Sequence, residues 1–357
     1  MTWDAAKTDM KWMSIEERAN TNVAQLIDAN LDRAREGLRV IEDWCRFGLS
    51  QKDLVITLKD WRQQLGKYHR DIYKQARSTA SDQGLGLTHP LQKERCSPEK
   101  IVAANCSRVQ EALRVLEEFS RSNDPDLAKI ASTIRYGLYD LEKSILKATS
   151  TKKRHQKLLN CKLCLITSSQ ENLSQTIENA LKAGIEMVQY RCKDGSDHER
   201  LIQARQLSAL CKMYKSLLII NDRIDIALAV DADGVHLGQE DFPTNLARDL
   251  LGNEKLIGRS VHCLEDLEIA QKEGCDYLGV GPVYATLTKP DEPPAGINFI
   301  KRTAELSQLP WFAIGGINNT NLNEVISAGA KRIAVVSAVM SANNPYQASL
   351  ELLKKMP

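Results

Sequence analysis

No apolar run in the 357 residues approaches the ~20 needed to cross a bilayer, and the opening MTWDAAKTDMKW lacks the charged-then-apolar stretch of a secretory signal. A soluble, cytoplasmic protein is the expectation. Net charge is also scarce: 48 Lys and Arg face 46 Asp and Glu, for a balance of +2. Neither nucleic acid nor a membrane surface is therefore an expected partner, and small-molecule substrates come first. The nine cysteines form no framework, which suits a reducing compartment. One close pair, Cys161 and Cys164, has Cys-x-x-Cys spacing, but Cys164 lies in the apolar run KLCLIT and no second pair completes a zinc site. Core packing is the favoured reading of that pair. Also missing are a Walker loop, a Gly-rich dinucleotide turn and any legible Ser/His/Asp or Cys/His arrangement.

What is present begins with an internal repeat. DANLDRAREGLRVIEDWCR starts at Asp28 and AANCSRVQEALRVLEEFSR at Ala103, an offset of 75 residues. That offset superimposes Asn30 on Asn105, Arg33 on Arg108, Glu36 on Glu111, Arg39 on Arg114, Glu42 on Glu117 and Arg46 on Arg121. Leu31, Ala34, Leu38, Ile41 and Cys45 recur at helical spacing, as do Cys106, Val109, Leu113 and Leu116, so each copy is an amphipathic helix that needs a partner. The stretches after each copy, LVITLKDWRQQLGKYHRDIYKQ and LAKIASTIRYGLYDLEKSILKA, are helical in period as well. Residues 1–150 thus read as an all-α domain of two related units packed as a pseudo-twofold bundle.

A single copy of the charged residues would read as a ladder of exposed pairs, each worth a few tenths of a kcal/mol. The same order kept twice in one chain argues for more. The connector RSTASDQGLGLTHPLQKERCSP adds Arg77, Asp82 and Arg95 beside flexible glycines, a composition that suits an anionic ligand. Asn30, Arg33, Glu36, Arg39, Arg77, Asp82, Asn105, Arg108, Glu111 and Arg114 are the candidate site of this half.

The polar stretch at 151–160 reads as a linker, after which the pattern changes. Eight short β-rich runs, KLCLIT, MVQYR, LLIIN, GVHLG, LIGRSV, YLGVGPVY, WFAIGG and RIAVVSAV, alternate with helical segments over residues 161–357. Eight evenly spaced units predict a TIM (β/α)8 barrel, and make a doubly wound open sheet the weaker alternative. In such a barrel the strand ends form the site. Gln189, Arg191 and Lys193 alternate at the second, Asn221 and Asp222 end the third, and Asp241 follows the fourth. Ser260 lies near the end of the fifth, and Thr286, Thr288 and Lys289 follow the sixth. Gly315 and Gly316 end the seventh, and Ser337 lies toward the end of the eighth.

Two carboxylates on neighbouring strand ends, Asp222 and Asp241, suit Mg²⁺ completed by phosphate oxygens. Arg191, Lys193 and Lys289 suit a diphosphate, and the Gly-Gly turn with the eighth strand suits a phosphate monoester. His236 and His262 lie in strand-like runs, where a hydrogen-bonded wall position is at least as well founded as catalysis.

In their order and spacing, QYRCK, IINDRIDIALAVDADGVHLGQED, GRSVH, GPVYATLTK, AIGGI and VVSAV resemble the motifs of thiamine phosphate synthases. The resemblance spans roughly residues 161–345. It implies a transferase that joins 4-amino-5-hydroxymethyl-2-methylpyrimidine diphosphate to a thiazole phosphate and releases pyrophosphate. It also implies that Gln189, Arg191, Lys193, Asn221, Ser260 and Lys289 bind the pyrimidine diphosphate, with Lys289, Ser260 and Arg191 nearest the chemistry. Asp222 and Asp241 would hold Mg²⁺, while Thr286, Thr288, Gly316, Val336 and Ser337 would hold the thiazole phosphate.

The helical half, through ANxxRxxEALRVLEEF and ARSTASDQG, resembles the domain often joined to these synthases and assigned as a hydroxymethylpyrimidine phosphate kinase, although QGLGL stands where Gly-Thr would be expected. That resemblance implies a bifunctional enzyme with ATP used in the first half. The alternatives are a synthase with a non-catalytic dimerisation or docking module, and a thiazole tautomerase on the same barrel. Small molecules are the expected partners, and the sequence leaves homo-oligomerisation open.

Overall fold

A computed structural model describes residues 15–77, 97–286 and 292–357, with side chains from residue 20 on. The chain divides into two compact units, Met1–Thr149 and Ser150–Pro357.

The first unit is helical. Its elements are α1 (Ile15–Asp43), a wider π-helical turn (Trp44–Gly48), α2 (Lys52–Gly66), the short α3 (Asp71–Gln75), α4 (Pro98–Ser120) and the first part of α5 (Pro125–Asn160), whose residues from Ser150 on belong to the second unit. Ser97 opens α4 by accepting from the Lys100 N–H at 3.4 Å, with Pro98 at the first helical position, where its missing N–H costs nothing. Residues 54–75, one helical period in the sequence, are split by a turn between Gly66 and Asp71. The repeated apolar stripes meet as expected: Leu31, Ala34, Leu38, Ile41 and Cys45 of α1 share one core with Cys106, Val109, Leu113 and Leu116 of α4. Close approach depends on Gly37, where a Cβ would lie 2.5 Å from Val109 Cγ2 and 3.5 Å from the Asn105 carbonyl oxygen.

The repeat extends to ion pairs between helices. Arg62 of α2 donates to Glu42 at 2.9 Å, and Arg135 of α5 donates to Glu117 at 2.9 Å. Both carboxylates are largely buried, their side chains 4% and 12% exposed. Burial alone would raise Glu117, yet the guanidinium groups of Arg135 and Arg114 leave it below the usual glutamate value. A charge so placed needs its partner, which gives a packing reason for keeping Glu42 and Glu117 in register.

The second unit is a closed barrel of eight parallel strands. Its strands are β1 (Leu163–Ile166), β2 (Met187–Tyr190), β3 (Leu217–Asn221), β4 (Gly234–Leu237), β5 (Leu256–Val261), β6 (Tyr277–Val280), β7 (Trp311–Ile314) and β8 (Ile333–Val335). Pairing of Leu163 on β1 with Ile333 on β8 closes the sheet and excludes the open alternative. Around it run α6 (Leu173–Lys182), α7 (Asp197–Tyr214), α8 (Ile224–Ala229), α9 (Thr244–Leu251), α10 (Leu264–Lys272), α11 (Gly296–Leu306), α12 (Leu322–Ser327), α13 (Ser337–Met340) and α14 (Pro345–Lys355). The eighth strand is shorter than its sequence pattern, because α13 starts at Ser337.

Residues 151–160, expected as a linker, are instead the last turns of α5 and are fastened to the barrel. Arg154 donates to Asp233 at 2.8 Å, His155 Nε2 lies 2.9 Å from Asp276 Oδ1, and Leu158 is buried with Met187, Leu217, Leu256, Tyr277 and Phe312 in the barrel interior. Asp233 and Asp276 precede β4 and β6, so this helix end closes the N-terminal face, opposite the strand ends where a barrel places its chemistry. The Cys-x-x-Cys pair belongs to the same interior. Cys161 and Cys164 are buried, and burial pushes both thiols far above their ordinary range, so they pack rather than react. No helix among the described residues is long and apolar enough to cross a membrane.

Candidate functional site

The C-terminal mouth of the barrel encloses a cavity of about 660 Å³. Strand alternation decides what faces it: Gln189, Asn221, His236, Ser260, Gly279 and Ile314 line the wall, while their neighbours pack outward against the helices. Of the sequence candidates, Gln189, Arg191, Lys193, Asn221, Asp222, Asp241, Ser260, Thr286, Gly315, Gly316, Val336 and Ser337 all line this one cavity. Thr288 and Lys289 lie outside the described residues.

The wall is held by short polar contacts. Gln189 Nε2 donates to Asn221 Oδ1 at 2.8 Å, joining the ends of β2 and β3. The Arg191 N–H donates to Thr167 Oγ1 at 2.9 Å, and the Thr167 hydroxyl donates back to the Arg191 carbonyl at 3.0 Å. Arg200 holds the Lys193 carbonyl at 2.7 Å, so both cation-bearing positions hang from fixed backbone. Asp222 sits at φ +62°, a left-handed conformation that aspartate tolerates better than most residues, with its N–H on the His236 carbonyl at 2.9 Å. Asp241 accepts from the Gly238 N–H at 2.7 Å.

The two carboxyl groups meet. Burial, then the hydrogen bond and negative charge of Asp241, push Asp222 up to about 7, and Arg191 and Lys193 only partly oppose this. Among the described residues no cluster of three or more His, Cys, Asp or Glu is placed to hold a metal. A hard divalent cation here would rest on Asp222 and Asp241 and complete its shell with water or ligand oxygens, and it would relieve their repulsion.

The opposite side of the mouth is backbone. Gly315 and Gly316 have φ +103° and +66°, and a Cβ on Gly315 would sit 2.5 Å from Pro282. Asn321 Nδ2 donates to the Gly316 carbonyl at 2.9 Å, fixing the turn beside Val336 and Ser337. This is the part of a barrel that commonly receives a phosphate monoester.

Sequence reasoning passed over Gln239, Glu240, Tyr277 and Glu292, which also line the cavity. Tyr277 was legible, since Tyr277 and Gly279 on β6 alternate with Gly281 just past its end, and the two glycines mark a crowded interior face. His236 and His262 are wall residues. His262 Nδ1 lies 2.5 Å from the Gly281 carbonyl and 3.6 Å from Glu292, while His236 bridges Tyr277 and Ser260.

In the helical unit the candidates divide. Asn30 and Asn105 are buried and each donates its amide to the carbonyl four residues back, at 2.9 Å to Leu26 and 2.8 Å to Ile101. Arg39 pairs with Asp43 at 3.0 Å and Arg114 with Glu118 at 2.7 Å. Arg77 is held by Asp28 and Asp32, both at 2.6 Å. Arg33, Glu36, Arg108 and Glu111 are exposed, and Asp82 and Arg95 lie outside the described residues.

Comparison with known proteins covers both halves. Residues 163–339 match the family described as thiamine monophosphate synthase, and residues 25–144 match the ThiD2 family. The "Thiamine-phosphate synthase" of Prochlorococcus marinus strain MIT 9303 is 61% identical over 97% of this chain and 100% of its own length. The protein of the same name from Nostoc punctiforme is 48% identical over 96% of this chain and 97% of its own length. Among solved structures, the thiamine phosphate pyrophosphorylase from Pyrococcus furiosus is 38% identical and superimposes with a TM-score of 0.51, covering 56% of this chain and 96% of that one.

Proposed function

The chain belongs to the thiamine-phosphate synthases, and from that premise we propose that the barrel mouth binds a pyrimidine diphosphate and a thiazole phosphate together and joins them with loss of pyrophosphate. The observation that carries this reading is the asymmetry of the cavity. One side presents Gln189, Arg191, Lys193, Asn221 and a carboxylate pair, and the other presents the Gly315–Gly316 turn with Val336 and Ser337.

The diphosphate lies along the first side. Arg191 and Lys193, with Lys289 as implied by the family motif, attract its charge, and Gln189 and Asn221 orient it. Asp222 and Asp241 hold Mg²⁺, which when bound supplies positive charge to the leaving group. An aminopyrimidine stabilises a positive methylene carbon, so the C–O bond breaks before the thiazole nitrogen attacks. The protein's work is electrostatic and positional: Arg191 and Lys193 stabilise charge growing on pyrophosphate, Ser260 contacts the pyrimidine side, and Thr286, Thr288 and the glycine turn hold the thiazole in line. The coupling needs no general base.

The first unit phosphorylates the pyrimidine monophosphate with ATP, supplying the diphosphate that the barrel consumes. This part rests on the match to the ThiD2 family and on the Asn, Arg and Glu order kept in both copies. The test supplies full-length protein with thiazole phosphate, Mg²⁺ and either the diphosphate, or the monophosphate with ATP, and follows thiamine phosphate. Product from both mixtures is expected. Product from the diphosphate alone would leave the helical unit without a kinase role, and product from neither would overturn the reading.

A further inference from the structure

The barrel wall contains a hydrogen-bonded chain that runs from its packed interior to the cavity. Tyr277, on β6, is fully enclosed, packed edge-on against Phe312 with ring centroids 5.7 Å apart. Its hydroxyl lies 3.3 Å from His236 Nδ1, and His236 Nε2 lies 3.1 Å from Ser260 Oγ, which opens on the cavity. The imidazole has a built seat. A Cβ at Gly258 would stand 2.5 Å from His236 Nδ1, and one at Gly279 would stand 2.9 Å from His236 Cε1. Two glycines on neighbouring strands therefore leave space that this ring fills.

The direction of the chain follows from satisfaction of buried groups. Among the described residues the Tyr277 hydroxyl has His236 as its hydrogen-bond partner, and a buried O–H without an acceptor is costly. Tyr277 therefore donates to Nδ1. A neutral imidazole that accepts at Nδ1 carries its proton on Nε2, so Nε2–H donates to Ser260 Oγ. With that lone pair occupied, the serine hydroxyl turns its own hydrogen toward the cavity.

We propose that His236 is a positioning residue which, backed by Tyr277, fixes Ser260 as a hydrogen-bond donor to an acceptor atom of the bound pyrimidine diphosphate. The inference rests on the synthase reading for its ligand and on the wall geometry for its direction. A donor at Ser260 complements a group whose negative charge grows as the C–O bond breaks, whereas an acceptor there would oppose it.

The tautomer can be read without turnover. In full-length protein carrying ¹⁵N-histidine, with the His236 signal assigned by its loss in His236→Gln, spectra taken above the ordinary imidazole range should show Nε2 protonated and Nδ1 bare. Tyr277→Phe keeps the ring and removes the donor. It should mix the tautomers and slow single-turnover coupling about tenfold, the size of one lost hydrogen bond. In a Ser260→Ala background the same change should alter the rate by less than about twofold, because nothing is left to position. His236→Gln, whose amide can still donate, should retain more activity than His236→Ala. A proton on Nδ1, or a Tyr277→Phe effect undiminished without the Ser260 hydroxyl, would overturn the proposal. If wild-type protein formed no thiamine phosphate the reaction assignment would fall, while the tautomer would still decide the direction of the chain.

Discussion

Asp222 and Asp241, 19 residues apart at the ends of neighbouring strands, line the same barrel mouth, where burial and then the neighbouring Asp241 carboxylate push Asp222 up to about 7. The consequence for stability has a definite sign. Between the ordinary aspartate value of 3.8 and about 7, the folded protein holds a proton that the unfolded chain has lost. Unfolding then releases protons, so this group's contribution to stability falls as pH rises through that window. Asp222→Asn should raise the melting temperature of metal-free protein at neutral pH, with less gain near pH 4, while abolishing coupling. Thermal melts across that range check it.

Metal dependence follows from the same pair. In the account above, Mg²⁺ stabilises the folded protein by binding it and not the unfolded chain. Added Mg²⁺ with pyrophosphate should raise the wild-type melting temperature, and Asp222→Ala or Asp241→Ala should remove most of that increase. Calorimetry with and without each component separates a shift due to metal from one due to pyrophosphate alone.

The thiazole side makes a steric prediction. Gly316 has φ +66°, and a Cβ there would lie 2.8 Å from Tyr284 Cβ and 3.0 Å from the Ala285 carbonyl oxygen. Gly316→Ala must shift the turn, so the KM for thiazole phosphate should rise about tenfold or more, with little change for the pyrimidine diphosphate. Steady-state kinetics in each substrate tests that separation.

In the helical unit, packing and site roles come apart by mutation. Glu42→Ala leaves Arg62 without its partner, and Glu117→Ala does the same to Arg135. Each should cost about 3 kcal/mol in denaturant unfolding. Arg33→Ala, Glu36→Ala, Arg108→Ala and Glu111→Ala alter exposed positions and should stay within about 0.5 kcal/mol of wild type. Loss of ATP-dependent pyrimidine phosphorylation in any of these four then reports on the site and not on folding.

Leu158 tests the closed N-terminal face of the barrel. It is buried against the interior, so Leu158→Ala should destabilise the second unit by about 3 kcal/mol while leaving both Michaelis constants near wild type. Denaturant unfolding and steady-state kinetics together check this.

The barrel was readable because its strands carry two signals at once. Runs such as LLIIN are buried on both faces, and several, MVQYR and LLIIN among them, carry a polar residue at the end that opens on the cavity, so periodicity and site chemistry point the same way. The 151–160 segment was misread because STKKRHQK is polar along its whole length, and composition alone reports solvent. Its helical register appears only through distant partners, with Arg154 reaching Asp233 and His155 reaching Asp276. His236 was undecided for a related reason: a histidine in an apolar strand reads alike whether it is sealed in the core or opens on a cavity, and Gly258 and Gly279, 22 and 43 residues away in sequence, create the space that distinguishes the two. The repeated charges were legible as a repeat, but Glu42 and Glu117 needed Arg62 and Arg135 from the following helices to show why two members of the series are buried.

The most direct measurement counts products. Full-length protein given pyrimidine diphosphate, thiazole phosphate and Mg²⁺ should form thiamine phosphate and pyrophosphate in equal amounts, and Asp222→Asn or Asp241→Asn should slow both together by about 100-fold or more. Variants that couple at the wild-type rate, or pyrophosphate released without matching thiamine phosphate, would contradict the role given to the barrel mouth.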